Sequence, residues 1–264
     1  MIKVGIVGAL GKMGKEVVKA VCNAEDMQLV CAIDVAGVGT DIGLASFSKE
    51  IGVLVEDDLK NALQTKKPDV VIDFTQPSTI YEHVCLFMQE KVKSVIGTTG
   101  LSEEQISNLK QMSKDNNVSC LIAPNFSTGA VLLMMFAKQA AKYFDNAEII
   151  ELHHNQKKDA PSGTAIKTAQ LMAESNSNFT LGNCPETELL TGARGATADA
   201  NIHIHSVRLP GYIASQEVIF GASGQLFKIK HDTMDRSCYM GGVLLATRYV
   251  FDNNEFIYGL DNIM

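Results

Sequence analysis

The sequence predicts an α/β protein whose first part is a doubly wound parallel sheet and whose second part is an α+β unit with a mixed sheet. Three observations carry this expectation. Short, nearly continuous apolar runs alternate with helical patterns over the first 125 residues. A glycine-rich turn joins the first of these runs to the first helical pattern. After residue 126 the alternation stops, and from about residue 200 strand-like runs follow one another across short turns.

The strands of the first part are read at IKVGIVG (2–8), LVCAID (29–34), VVIDF (70–74), SVIGTT (94–99) and VSCLIA (118–123). Each is apolar almost throughout, as strands covered on both faces are. Helical spacing of apolar residues marks Lys12–Ala24, Ser78–Gln89 and Ser102–Asn116. Pro77 stands before the second of these, and Ser102 with Gln105 makes a capping box for the third. Strand–helix alternation of this kind winds right-handed crossovers over a parallel sheet.

In the second part, a Met- and Leu-rich helix is expected at Gly129–Tyr143, then the strand AEIIELHH, then a helix opened by Pro161. The runs NIHIHSVRL, QEVIFGA and QLFKIKH read as strands of a mixed or antiparallel sheet, separated by Gly-Tyr and Ser-Gly turns. A last helix over about Asp235–Phe251 is expected to return to the first domain. The domains are therefore read as 1–126 with 235–264, and 127–234 inserted between them.

The bulk numbers exclude several classes. A net charge of −7 over 264 residues lacks the basic footprint of a nucleic-acid binder. Small anions remain eligible ligands, because local positive sites work inside an acidic protein. No apolar run approaches a membrane span, and Met1 runs directly into the first strand, so a cytoplasmic protein without a leader is expected. The six cysteines form no Cys-x-x-Cys pair and are read as buried, reduced thiols.

The first turn carries chemistry. Gly8, Ala9, Leu10, Gly11, Lys12, Met13 and Gly14 end a strand and open a helix. Glycines there let the backbone turn tightly and approach a pyrophosphate, whose charge is favoured at the helix N-terminus. Leu10 stands where the common fingerprint has its second glycine. Asp34, at the end of the second strand, is placed to accept hydrogen bonds from an adenosine ribose. Together these read as a Rossmann-type dinucleotide-binding domain; the plainer alternative is a tight turn with Asp34 capping a loop. Asp34 would repel a 2′-phosphate and Val35 supplies no arginine, which favours NADH and leaves NADPH as a second cofactor. The loops Gly97-Thr98-Thr99-Gly100 and Ala123-Pro124-Asn125-Phe126 follow later strands, where ligands of such sheets gather. They suit a nicotinamide ribose and carboxamide, or ordinary turn chemistry.

The densest cluster is ELHHNQKKDAPSGTA. Glu151, His153, His154, Lys157, Lys158 and Asp159 precede a helix mouth at Ser162, Gly163 and Thr164. On a strand, His153 and His154 point to opposite faces, which argues against a shared metal. A zinc site would need a third ligand such as Asp159 at irregular spacing, and no metal is expected. Histidine and lysine suit acid–base work, and backbone N–H groups at the helix mouth suit a carboxylate. A solvated charged loop before an ordinary helix start is the alternative. His203 and His205 share one strand face, read as exposed or inter-subunit. Arg208, on the other face, could meet a carboxylate or form a surface pair, and the run LLMMF reads as core.

These residues carry a resemblance over essentially the full length. GALGKMG, VVIDFTQPS, VIGTTG, APNFSTG and above all ELHHNQKKDAPSGTA are similar to the motifs of the 4-hydroxy-tetrahydrodipicolinate reductase family, also called dihydrodipicolinate reductase, of bacterial lysine and diaminopimelate synthesis. The resemblance implies an NAD(P)H-dependent oxidoreductase acting on a small dicarboxylate and assembled as a homotetramer. It implies that His153 and Lys157 handle protons and that His154, Gly163 and Thr164 contact substrate. It places Gly8 to Met13 on the dinucleotide phosphates, Asp34 on the ribose, and Gly97, Thr98, Thr99 and Ala123 to Phe126 at the nicotinamide end. Val35 departs from relatives that carry an arginine for NADPH, and Pro124 replaces an alanine. Two other functions remain: a different NAD-linked reductase of an amino dicarboxylate, and a dinucleotide sensor without catalysis.

Overall fold

The protein was analysed as a computed structural model, which describes residues 1–182 and 184–264. The chain divides into two compact units, residues Met1–Thr128 with Arg236–Met264, and residues Gly129–Asp235.

The first unit begins β1 (Ile2–Val7), α1 (Lys12–Asn23), β2 (Met27–Ile33), α2 (Ile42–Phe47), β3 (Val55–Glu56) and α3 (Leu59–Lys66). It continues β4 (Val70–Asp73), α4 (Ile80–Gln89), β5 (Lys93–Ile96), α5 (Glu103–Asn116) and β6 (Cys120–Ile122). The second unit holds most of α6 (Thr128–Ala140), β7 (Asn146–His153), α7 (Gly163–Ser175), β8 (Ala196–Thr197), β9 (His203–Arg208), β10 (Ala214–Ala222) and β11 (Gln225–Thr233). The chain then returns to the first unit as α8 (Met240–Asp252) and β12 (Phe256–Tyr258).

The seven strands of the first unit lie in the order β12-β6-β5-β4-β1-β2-β3, every pairing parallel. The order reverses between β1 and β4, so their carboxyl ends flank the crevice where such sheets bind ligands. Apolar side chains cover both faces. Ile80, Val84 and Phe87 of α4 and Leu109 of α5 are buried with Val71 and Ile96 of the sheet. The capping box forms as the sequence predicts: Gln105 N donates to Ser102 Oγ at 3.2 Å, and Ser102 N donates to Gln105 Oε1 at 2.9 Å.

Elements α2, β3, α3 and β12 extend the predicted pattern. They are short, and α2 and α3 are held by Asp41 and Asp58 at their N-caps. Asp41 also accepts the N–H groups of Ile51 and Gly52, closing the loop that leads to β3.

The second unit is a five-stranded mixed sheet, β11-β10-β7-β9-β8. Strands β7 and β9 are parallel and the other pairings antiparallel. Leu133 and Ala137 of α6, and Ala165, Ala169 and Met172 of α7, bury Ile149, Ile204, Val218 and Phe220 of the sheet. The reading of LLMMF as core holds for Leu133, while Leu132 and Phe136 are exposed.

Three more expectations need correction. Pro161 does not open α7: Ser162 is its N-cap and Gly163 its first residue. His203 is buried and His205 half-buried under the loop that carries Arg194, so the exposed-face half of that reading fails. His203 Nδ1 bonds the Arg194 carbonyl, and His205 Nε2 lies 2.8 Å from Glu148. Of the cysteines, Cys31 and Cys120 are buried, Cys85 and Cys238 half-buried, and Cys22 and Cys184 exposed, none in a disulfide. Burial pushes the thiols of Cys31 and Cys120 up to about 12.

Candidate functional site

The loops after β1, β4, β5 and β6 leave the carboxyl edge of the first sheet, each tied to a neighbouring strand by its first N–H. Gly8 N donates to Ile33 O at 2.9 Å, Phe74 N to Val7 O at 3.1 Å, Gly97 N to Asp73 O at 2.9 Å and Ala123 N to Ile96 O at 3.0 Å. Gly8 has φ +77°, and a Cβ there would lie 2.8 Å from the Phe74 carbonyl oxygen. Gly14 is buried where α1 crosses the loop: its Cβ would lie 2.0 Å from the Gly8 oxygen. Glycine is required at both positions, one for conformation and one for close approach. Gly11 caps α1 without a side-chain bond, so the first-turn N–H groups face outward from an exposed mouth.

Asp34 closes this loop from the end of β2. Its Oδ2 accepts Leu10 N at 2.9 Å and its Oδ1 accepts Ala36 N at 3.2 Å. Each carboxylate oxygen keeps a further lone pair for a hydroxyl donor. Val35 is 95% exposed beside it.

Phe74, which the sequence reading gave no role, joins the other loops. Its ring occupies the space a Cβ at Gly97 would need, at 2.0 Å, and it packs on Phe126 with centroids 5.8 Å apart. Gly97, Thr98, Phe74 and Phe126 are thereby brought together. The Thr98 hydroxyl is buried with no hydrogen-bond partner in the structure. Behind them, buried Asp73 accepts the Thr75 hydroxyl at 2.6 Å and pairs with His83 Nδ1 at 2.8 Å.

The second cluster lies at the end of β7. Glu151 and His153 share a face, as period-two alternation requires. His153 Nδ1 lies 2.5 Å from Glu151 Oε2. His154 follows the strand and is exposed. Glu151 is wholly buried, and Arg208 from the parallel strand β9 grips it with both terminal nitrogens at 2.9 and 2.7 Å. The β7–β9 register puts Arg208 directly beside His153. Arg208 also donates to the Asp159 carbonyl at 2.8 Å, and Glu151 Oε1 accepts Ser162 N at 3.2 Å. The second half of the loop 154–162 is therefore fastened, at Asp159 and Ser162, to one buried ion pair.

Burial opposes ionisation of Glu151. Hydrogen bonds from Arg208, Ser206 and His153 outweigh it and hold the carboxyl below the usual glutamate range. Burial also lowers the pKa of His153; Glu151 pulls it back up, while the charges of Lys157 and Arg208 push it down. Lys157 Nζ sits on Asp159 at 2.7 and 2.8 Å, a largely exposed carboxylate. The Ser162 hydroxyl caps α7 by accepting Ala165 N at 3.2 Å, which leaves its O–H proton free to donate, while the Ser162 N–H is spent on Glu151. Gly163 and Thr164 remain at the mouth, and a Cβ at Gly163 would meet open space.

Sequence reasoning missed Glu151, Arg208 and Phe74 as organisers. The Glu-x-His spacing on a predicted strand was a usable signal for the first. The other two depend on partners distant in sequence.

A glycine loop at the switch point of a parallel sheet, with an acidic residue after the second strand, defines the class: pyridine-nucleotide-dependent oxidoreductases of the Rossmann type. The comparisons with known proteins are narrower. The family description "Dihydrodipicolinate reductase, N-terminus" matches residues 2–126, and "Dihydrodipicolinate reductase, C-terminus" matches residues 129–264. The chain belongs to the dihydrodipicolinate reductase family. It is 52% identical over 269 residues to the 4-hydroxy-tetrahydrodipicolinate reductase of a Picosynechococcus species, covering 100% of this chain and 98% of that one. It is 52% identical over 267 residues to the same enzyme of Thermosynechococcus vestitus, covering 100% and 97%. A solved dihydrodipicolinate reductase from a Paenisporosarcina species, bound to dipicolinate, superposes with a TM-score of 0.91 at 46% identity, covering 100% of both chains. An amine dehydrogenase from Mycobacterium smegmatis shares the fold, with a TM-score of 0.70 at 14% identity, over 98% of this chain and 95% of that one. Among the described residues no helix is long and apolar enough to cross a membrane.

Proposed function

We propose that this chain reduces 4-hydroxy-tetrahydrodipicolinate to tetrahydrodipicolinate in lysine and diaminopimelate biosynthesis, with NADH as the preferred reductant. The observation that carries this reading is the cluster at 151–164, a buried Glu151–His153 pair with Lys157 and a helix mouth beside it, within full-length similarity to enzymes of that name.

The first unit fits a dinucleotide. Gly8, Ala9, Leu10, Gly11, Lys12 and Met13 would surround the phosphates, with N–H groups at the mouth of α1. Asp34 would take the ribose hydroxyls, and its charge beside exposed Val35 disfavours a 2′-phosphate. Gly97, Thr98, Thr99, Ala123, Pro124, Asn125 and Phe126 would line the nicotinamide end, where the unpartnered Thr98 hydroxyl awaits an acceptor or donor.

The substrate is a cyclic imine carrying two carboxylates and a 4-hydroxyl. Loss of the hydroxyl as water leaves a conjugated system. The reduced nicotinamide, when bound, supplies hydride to C4 of that system. The resulting enamine needs a proton at C3, and Lys157 is assigned as its donor, with His153 polarising or relaying. His154, Gly163 and Thr164 hold the carboxylates by local positive charge and backbone N–H groups. Lys157 must leave Asp159 to act, and an exposed ion pair of that kind is weak enough to exchange.

The test is NADH oxidation by the purified protein on enzymatically generated substrate, followed by the loss of nicotinamide absorbance. Turnover is expected, and no turnover with a folded, NADH-binding protein refutes the reading. Lys157→Met is expected to lower kcat on the order of 10²–10⁴-fold with NADH binding retained. A variant within a few-fold of wild type removes Lys157 from the role. The assembly is read as a homotetramer, supported by the exposed apolar side chains Phe136, Tyr143, Leu226 and Phe227 of the second unit. Light scattering should give near four times the 28.6 kDa chain mass.

A further inference from the structure

Glu151 has no role in the chemistry above, yet both its carboxylate oxygens are fully engaged. Its Oε1 accepts Arg208 Nη2 at 2.7 Å and Ser162 N at 3.2 Å; its Oε2 accepts Arg208 Nη1 at 2.9 Å and faces His153 Nδ1 at 2.5 Å. A wholly buried carboxylate gripped by a guanidinium fork is ionised and can only accept. The bond to His153 therefore fixes the proton: Nδ1 must be the donor. The other ring nitrogen, Nε2, is then the one left to work. Which nitrogen carries the proton in a catalytic histidine is commonly set by the partner of the other.

We propose that Glu151, ionised against Arg208, is a positioning residue that fixes His153 as the Nδ1–H tautomer and presents Nε2 to the substrate, while its bond to Ser162 holds the mouth of α7 in register with the ring. This rests on the function proposed above only for what His153 acts upon. Glu151 itself is buried and touches no substrate. Both terminal nitrogens of Arg208 are taken up by the same task and by the Val207 and Asp159 carbonyls, and its Nε–H is buried without a partner, so the fork serves Glu151 rather than a substrate.

The charged groups facing His153 are Glu151 on its own strand, Arg208 on β9 and Lys157 in the following loop; β10 presents Ala214 opposite it. Of the three, Glu151 alone favours the protonated ring. Glu151→Gln preserves size but puts an N–H₂ donor against the fixed donors Arg208 and Ser162 N, leaving only the Ser206 hydroxyl and a His153 ring protonated at Nε2 able to accept it.

The experiment uses the full-length protein labelled with ¹⁵N-histidine and no substrate. Long-range ¹H–¹⁵N correlation across a pH titration reads the tautomer, with His153→Gln identifying the resonances. Wild type is expected to show neutral His153 with Nδ1 protonated and Nε2 bare. Glu151→Gln is expected to lose that preference and to titrate lower by about 1 unit or more. Its kcat should fall about 10- to 100-fold, with the pH–rate limb moved acidward by the same amount and the KM for NADH unchanged. If wild-type His153 is the Nε2–H tautomer, the proposal is overturned whatever the variant does. It is equally overturned if Glu151→Gln leaves tautomer and pH profile unchanged. The Nδ1–H tautomer in a protein that does not turn over the substrate refutes the proposed function and leaves the positioning role standing.

Discussion

Gly14→Ala is the sharpest test of how the first unit is built. The added methyl carbon would stand 2.0 Å from the Gly8 carbonyl oxygen and 2.8 Å from the Ala9 Cα and carbonyl carbon. All three are backbone atoms and cannot swing aside as a flexible side chain would. Ordinary contact begins near 3.4 Å, so α1 and the glycine loop must separate by about 1.4 Å. Overpacking of this kind costs about 1–3 kcal/mol, which in a chain of this size is a Tm drop of roughly 2–12 °C. The same shift moves the mouth of α1 away from Asp34, which holds Leu10 N at 2.9 Å. A displacement of about 1 Å in a positioning element costs on the order of 10²-fold in rate, and kcat/KM for NADH should fall by that order.

Gly11→Ala is the control. Its Cβ would meet only the Gly8 oxygen, at 3.1 Å, and would emerge at the exposed mouth. A shift of a few tenths of an ångström relieves it, so Tm should move much less than in Gly14→Ala. Differential scanning fluorimetry and steady-state kinetics with varied NADH make the comparison. Gly14→Ala with wild-type Tm and kcat/KM within twofold of wild type would refute the close-approach reasoning.

Two further outcomes follow from single side chains. Val35→Arg should leave Tm unchanged, because the position is 95% exposed, and should improve kcat/KM for NADPH about ten- to hundredfold through a charge-assisted bond to the 2′-phosphate; parallel kinetics with both nucleotides check this, and a wild-type protein that already prefers NADPH would contradict the reading of Asp34. Burial opposes ionisation of Asp41, but N–H groups of Ile51, Gly43, Gly52 and Leu44 prevail and hold its pKa below the ordinary 3.8. A depressed carboxyl stabilises the fold above its unfolded pKa, and that contribution is lost as pH falls through the folded value. Asp41→Asn should therefore lower Tm at neutral pH, with the gap to wild type closing below about pH 4; a gap that is constant with pH would show that ionisation is not the source.

The first unit was legible because parallel strands buried on both faces are apolar over most of their length. Val70–Asp73 and Lys93–Ile96 announce themselves without reference to anything distant. The stretch from 35 to 67 did not, for a physical reason. Its β3 is two residues long, and its helices depend on Asp41 and Asp58, one of which bonds N–H groups ten and eleven residues away. In the candidate site, strand alternation places Glu151 with His153, while His154 lies just past the end of β7 and is exposed. It cannot supply Arg208, which lies fifty-seven residues beyond Glu151 and reaches it through the parallel pairing of β7 with β9. Phe74 was hidden for the same reason: its meaning lies in the Gly97 and Phe126 it meets, not in its neighbours along the chain.

The two units expose ligand surfaces of opposite kinds, and this bears on where substrate charge is met. In the first unit the surface is backbone, an exposed glycine loop at the mouth of α1 offering N–H groups that carry no titratable charge. In the second it is ionic, but its strongest cation, Arg208, is spent on Glu151. Under the proposed function, a dicarboxylate is left to Lys157, the two histidines and the N–H groups of Gly163 and Thr164. Lys157 is held by an exposed carboxylate that water screens, whereas Arg208 is held by a buried one that water does not reach. The fold thus fixes the cation that organises the site and leaves movable the cation assigned to chemistry. That division is what a proton donor requires, since it must exchange partners in each turnover while the ring beside it keeps its orientation.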